Sequence, residues 1–123
     1  MCAAVSDFMP TKIDGKIKKE DVGEILSLSL KRNVDILQSL KEFKCKKIGF
    51  KLEISNESAL KSARSILEKK GLDAVCLNIL GEKNGFASEQ NEVNFITKNS
   101  EILLPLASKD EIAGRIVELA ANL

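Results

Sequence analysis

Three consecutive segments constrain the fold more than any other part of the chain: "KKIGFKLE" (46–53), "NESALKSARSILEKKG" (56–71) and "DAVCLN" (73–78). The first reads as a strand. In the second, Ala59, Ala63, Ile66 and Leu67 recur on one helical face, lysines fill the last turn, and Gly71 stands where a C-terminal cap belongs. The third is another short apolar strand. Strand, helix and strand in this order argue for a mainly parallel sheet with helices packed on its faces.

The flanking sequence extends the pattern. "CAAV" (2–5) is small and uniformly apolar, as in a strand buried on both faces, and "EILSLSL" (24–30) alternates Leu26, Leu28 and Leu30 against serines, as in a strand buried on one. Asn33 is placed to cap a helix whose apolar positions are Ile36, Leu37, Leu40 and Phe43, with Asp35 favouring the positive end of its dipole. After a loop over 79–91, "EVNFIT" and "EILLPLA" form a hairpin through "KNS", and Pro105 marks the second as an edge strand. Ser108 and Glu111 make a capping box ahead of a terminal amphipathic helix. The expected fold is one α/β domain with a late antiparallel hairpin.

Composition removes several classes of function. The chain of 123 residues has 19 basic and 18 acidic side chains, so no overall field draws it to nucleic acid or an anionic membrane. Five Phe, with neither Trp nor Tyr, leave little for stacking bases of a single strand. The absence of histidine excludes Ser-His and Cys-His nucleophile pairs and imidazole bases. Cys2, Cys45 and Cys76 are widely spaced and read as reduced, mostly buried thiols of a cytoplasmic protein. No apolar run approaches a membrane span of about 20 residues.

What remains is local charge. Lys12, Lys16, Lys18 and Lys19 lie beyond the first strand, in a segment that Pro10 and Gly15 keep out of a helix. Ligands of open α/β sheets sit beyond the carboxyl ends of strands, and a cationic flap there suits a polyphosphate. A solvated loop is the alternative, and neither G-x-G-x-x-G nor a Walker A sequence is present.

Taken in order, "AAVSDF", "KIKK", "NVDIL", "GFKLE", "KKGLD", "FASEQNEV" and "SKDEIA" resemble the C-terminal half of phosphopantothenoylcysteine synthetase. In bacteria this is commonly the second part of a bifunctional coenzyme A biosynthesis flavoprotein. The resemblance implies a Rossmann-like sheet, here a partial domain: residues 1–123 would be the C-terminal part of a nucleotide-dependent phosphopantothenate-cysteine ligase domain. The preceding half, which completes the sheet in the family, would be absent, leaving the fragment inactive alone.

Family members join 4'-phosphopantothenate to cysteine, usually with CTP in bacteria, through an acyl-cytidylate. By resemblance Asp7 contacts the nucleotide, through ribose or through Mg²⁺ on the triphosphate, and Lys16 is the catalytic cation. Asn33, Asp35 and Ile36 hold the nucleoside, Phe50 lines the base pocket, and Lys70 meets phosphates. A homodimer is implied, whereas FMN belongs to a separate decarboxylase part. The departures are Val34 for proline, Glu89 for aspartate, Ile54 for threonine, and Ile66 where members often carry a second phosphate-binding lysine, a role open to Arg64 or Lys69. The competing reading is a non-catalytic nucleotide-binding or dimerisation module on the same scaffold.

Overall fold

The computed structural model describes residues 5–54, 56–81, 85 and 88–123. The chain divides into two compact units, Met1–Ser39 and Leu40–Leu123.

In unit 1, β1 (Phe8–Pro10) pairs antiparallel with β2 (Leu30–Arg32). Between them lies α1 (Lys19–Val22), and α2 (Ile36–Ser39) follows β2. Of the strand expected over 24–30, only Leu30 is in a strand; Leu26, Leu28 and Leu30 are all exposed. Alternation signals burial only where a layer covers one face, and a two-stranded ribbon has none of its own. The "CAAV" strand falls outside the described residues except for Val5, which is exposed.

The helix expected from Asn33 to Phe43 shortens to the single turn of α2. Its start is capped by Asp35 rather than Asn33, since Asp35 Oδ1 accepts the Gln38 N–H at 3.0 Å. Beyond Ser39 the backbone turns. There Lys47 Nζ donates to the carbonyls of Lys41 (2.9 Å), Phe43 (3.0 Å) and Leu40 (3.4 Å), groups that a continuing helix would use for its own amides. Phe43, read as a buried position, is exposed.

Unit 2 holds the strand-helix-strand core expected from sequence: β3 (Ile48–Glu53), α3 (Asn56–Lys69) and β4 (Ala74–Ile79). The hairpin β5 (Gln90–Thr97) and β6 (Glu101–Ser108) follows, then α4 (Lys109–Ala121). The sheet order is β3-β4-β5-β6. The α/β class stands as a helix-flanked sheet with a late antiparallel hairpin; its parallel pairing is β3 with β4, while β5 joins β4 and β6 joins β5 antiparallel.

α3 ends in a Schellman motif. Gly71 takes φ +60°, its N–H reaches Glu68 O at 3.2 Å, and the Leu72 N–H reaches Leu67 O at 2.9 Å. The chain then re-enters the sheet at β4, whose residues Ala74, Val75, Cys76 and Leu77 are buried. Ala74 and Cys76 join Val93, Phe95, Leu104 and Ile112 of α4 in one cluster. Val75, Leu77 and Ile96 point by alternation to the opposite face, where α3 presents its buried stripe Ala59, Ala63 and Leu67. Burial pushes the Cys76 thiol up to about 12, whereas Cys45 is exposed, against the expectation of burial.

Pro105 lies on the edge strand as expected. The pairs Asn91↔Ala107 and Val93↔Leu104 leave Glu92 opposite both Pro105 and Leu106, a bulge at the residue that has no N–H to donate. The capping box also forms, with Ser108 Oγ accepting the Glu111 N–H at 3.2 Å.

Two glycines separate backbone strain from helix propensity. Gly71→Ala should lower stability by about 1 kcal/mol or more, because a Cβ is disfavoured at positive φ and would meet Lys41 Cγ at 3.2 Å. Gly114→Ala, inside α4 with nothing within 4 Å, should raise it by roughly 0.5–1 kcal/mol. Urea midpoints of the two variants check both signs.

Candidate functional site

Unit 1 brings together two of the expected nucleotide contacts. The ladder that pairs Phe8 with Arg32 continues one step outward, where the Asn33 N–H donates to Asp7 O at 2.7 Å. Asn33 Nδ2 donates to Ser6 O at 3.1 Å, and its Oδ1 accepts the Val34 N–H at 2.9 Å. The Asp7 backbone is thus fixed while its carboxylate stays at the surface. Asp35 follows two residues after Asn33, capping the turn that opens with the half-buried Ile36.

Lys16 lies in the irregular segment after β1, one residue beyond Gly15 at φ +94°. Lys12 sits 3.9 Å from Asp14, both exposed. Lys18 precedes α1 in extended conformation, and Lys19 is the first residue of that helix, so the lysine segment is not free of helix throughout as expected.

Unit 2 carries Phe50 and Lys70, at different places. Phe50 is 77% exposed and projects from β3 on the face covered elsewhere by α4. It borders a cleft of about 300 Å³ floored by Val93, Ile112 and Ile116, with Asn91 and Lys109 also lining it. Lys70 follows α3 on the way into β4, its N–H bonded to Ile66 O at 3.0 Å. Arg64, one candidate for the second lysine, is engaged with Glu101 at 3.2 Å; Lys69 remains in the last turn of α3.

The sequence reading gave no role to Glu53. It ends β3, where its carbonyl accepts the Leu80 N–H at 2.8 Å and its carboxylate meets Lys51 Nζ at 3.1 Å. Hydrogen bonds from Lys51 and Ser62 hold its carboxyl below the usual 4.5. The available signal was the i, i+2 spacing of a lysine and a glutamate on one strand face.

Among the described residues no group of three or more His, Cys, Asp or Glu is placed to hold a metal, and no helix is long and apolar enough to cross a membrane. One surface carboxylate beside substrate phosphates is nonetheless a common arrangement for Mg²⁺, which keeps most of its waters.

The sequence profile described as the DNA/pantothenate metabolism flavoprotein C-terminal domain matches residues 1–123. The chain belongs to this family. A family relative, the coenzyme A biosynthesis bifunctional protein CoaBC of Vibrio cholerae, is 36% identical over 125 residues, which cover 96% of this chain and 30% of the relative. The chain thus spans about three-tenths of the length of the curated relatives it matches. Among solved family structures, the crystal structure of the CoaBC C-terminal domain has a TM-score of 0.67 at 28% identity, covering 95% of this chain and 49% of that one. The DNA/pantothenate metabolism flavoprotein from Streptococcus pneumoniae gives 0.69 at 27% identity, covering 97% and 57%.

Because its folded carboxyl lies below the ordinary value, Glu53 contributes stability that is present above about pH 4.5 and lost as pH falls through the folded value. Glu53→Gln should therefore flatten the acid limb of a plot of unfolding free energy against pH. Carboxyl titration of Glu53 followed by NMR should give a midpoint below 4.5.

Proposed function

We propose that this chain forms the C-terminal part of a ligase of coenzyme A biosynthesis that joins 4'-phosphopantothenate to cysteine with CTP. The observation that supports the reading is the Asp7–Asn33 juxtaposition, which brings a surface carboxylate beside an asparagine in a chain that belongs to the family along its whole length.

In this reading Asp7 meets the ribose or a Mg²⁺ ion on the triphosphate, and Asn33, Asp35 and Ile36 hold the nucleoside. Phe50 offers an exposed ring for the base, consistent with its position at the cleft beside α4. Lys70 is a phosphate contact on family grounds alone. The phosphopantothenate carboxylate attacks the α-phosphorus of CTP, forming an acyl-cytidylate as the bond to pyrophosphate breaks. Cysteine's amine then attacks the acyl carbon and expels CMP. Bound Mg²⁺ would supply charge neutralisation on the phosphates. Lys16 would stabilise the negative charge that builds as pyrophosphate leaves, a task that needs no histidine.

The chain would act as a homodimer with the remainder of its ligase. Unit 1 supports this: Phe8, Met9, Ile13, Ile17, Leu28 and Leu30 are exposed apolar side chains on or beside a two-stranded ribbon, a structure marginal in water without something to pack against. FMN has no proposed place in this chain.

Titration calorimetry of the full-length ligase with Mg²⁺ present should show tighter binding of CTP than of ATP; equal affinities would remove the choice of CTP. Lys16→Gln should lower turnover about a hundredfold, or about 2.7 kcal/mol in the barrier, with the fold intact by circular dichroism. Near-normal turnover would reduce the loop to a solvated flap.

A further inference from the structure

Unit 2 has a second hollow on the α4 face of its sheet. The cleft beside Phe50 lies against the first turns of α4, at Lys109 and Ile112, whereas this one, a cavity of about 380 Å³, lies against the last turn. Its floor is apolar, made by Phe95 of β5, Ile102 of β6 and Leu119 of α4. Phe95 is a core residue and Leu119 packs against the core, but Ile102 remains 39% exposed, an aliphatic side chain with room above it. A cavity of this size, apolar below and polar at its mouth, suits a small metabolite.

Two charges of opposite sign stand at the mouth, Asp73 just before β4 and Lys98 in the turn between β5 and β6. The ladder pairs Ala74 with Thr97 antiparallel, so Asp73 and Lys98 are the next residues outward on neighbouring strands. Asp73 is half-buried; its Oδ2 accepts the Lys47 N–H at 2.7 Å, while its Oδ1 has no hydrogen-bond partner among the described residues. Lys98 has neither an ion pair nor a side-chain hydrogen bond among them. The turn that carries Lys98 is locked: the Thr97 N–H donates to Ser100 O at 2.9 Å, and Thr97 Oγ1 accepts the N–H groups of Ser100 (3.0 Å) and Asn99 (3.3 Å). Those amides are spent within the turn, which leaves the ammonium to meet an anion. On the acidic side, the C-terminal end of α4 adds its partial negative charge to that of Asp73.

We propose that this cavity binds a free α-amino acid with an apolar side chain. The ammonium of the ligand meets Asp73 and the end of α4, its carboxylate meets Lys98, and its side chain lies on Phe95, Ile102 and Leu119. An α-amino acid carries both charges on one carbon, a spacing that two residues facing each other across a ladder step can answer together. A simple amine or a fatty acid would leave one of the two protein charges unanswered. The site is independent of the nucleotide reading, in which none of its residues has a part.

The test is equilibrium dialysis of the full-length protein with radiolabelled L-leucine and, separately, L-methionine; L-cysteine is left out because the proposed reaction consumes it. Wild type should show saturable binding of one amino acid per chain. L-leucinamide, which lacks the carboxylate, and N-acetyl-L-leucine, which lacks the ammonium, should each compete at least about tenfold less well than L-leucine, since each loses a charge-assisted contact. Glycine, which has the charges without the apolar body, should compete as poorly. Lys98→Met should weaken L-leucine at least about tenfold and abolish its advantage over L-leucinamide. Asp73→Asn keeps an acceptor for the Lys47 N–H, and should weaken L-leucine similarly while abolishing its advantage over N-acetyl-L-leucine. Lys61→Met, on α3 and outside the cavity, should change nothing.

Absence of saturable binding to wild type would overturn the proposal. So would unchanged binding in Lys98→Met, which would put the amino acid elsewhere in the protein, and so would equal competition by L-leucinamide, which would make the cavity an amine site. Because Lys98 is exposed in a turn, its variant decides the question even where Asp73→Asn does not fold.

Discussion

The backbone exchange between Lys47 and the start of β4 sets the geometry on which the rest of unit 2 depends. Asp73 receives the Lys47 N–H on its carboxylate and returns its own N–H to the Lys47 carbonyl, and from that point Ile48 pairs with Ala74 through to Glu53 with Ile79. This register puts Ala74 and Cys76 against α4 and Val75 and Leu77 towards α3. A slip of one residue would reverse both sets, so each helix would face the wrong side chains. The slip is resisted from three directions: by Asp73, by the Schellman end that aims the chain into β4, and by the bond from Leu80 N–H to the Glu53 carbonyl at the far end.

The two faces of the sheet are covered unequally. α3 lies over the parallel pair, whereas α4 packs on β5 and β6 and leaves Phe50 and Leu52 of β3 exposed on its side. An exposed aromatic beside an apolar cleft is the kind of place where a flat ring can be held at little further cost, since the cleft is already built by the core positions Val93 and Ile112.

Unit 1 follows different physics. Among its described residues, order comes from a short ribbon and from local side-chain bonds by Ser6, Asn33 and Asp35 rather than from a core. Such a structure fixes backbone direction at a few points and leaves cationic and apolar side chains at the surface. A group that meets a charged substrate can be carried there without the desolvation penalty of a buried charge.

How much was legible follows the same division. The strand-helix-strand segment, the hairpin, the edge role of Pro105 and the capping box at Ser108 were all readable, because each depends on local periodicity or on one residue's backbone chemistry. Candidate site residues were readable as residue types and as a resemblance, but their company was not. That Asp7 and Asn33 adjoin, that Arg64 is taken by Glu101, and that Phe50 and Lys70 stand apart are results of chain reversal and strand pairing. By itself the sequence determined which segments want to be helix or strand and which chemistry, lacking histidine, must rest on lysine, carboxylate and amide. Only the tertiary structure decided which apolar faces are buried and where helices stop. The alternating leucines 26, 28 and 30 found no covering layer, and beyond α2 the carbonyls of Leu40, Lys41 and Phe43 turn to the ammonium of Lys47, because burial and hydrogen-bond partners are settled by what lies opposite in space.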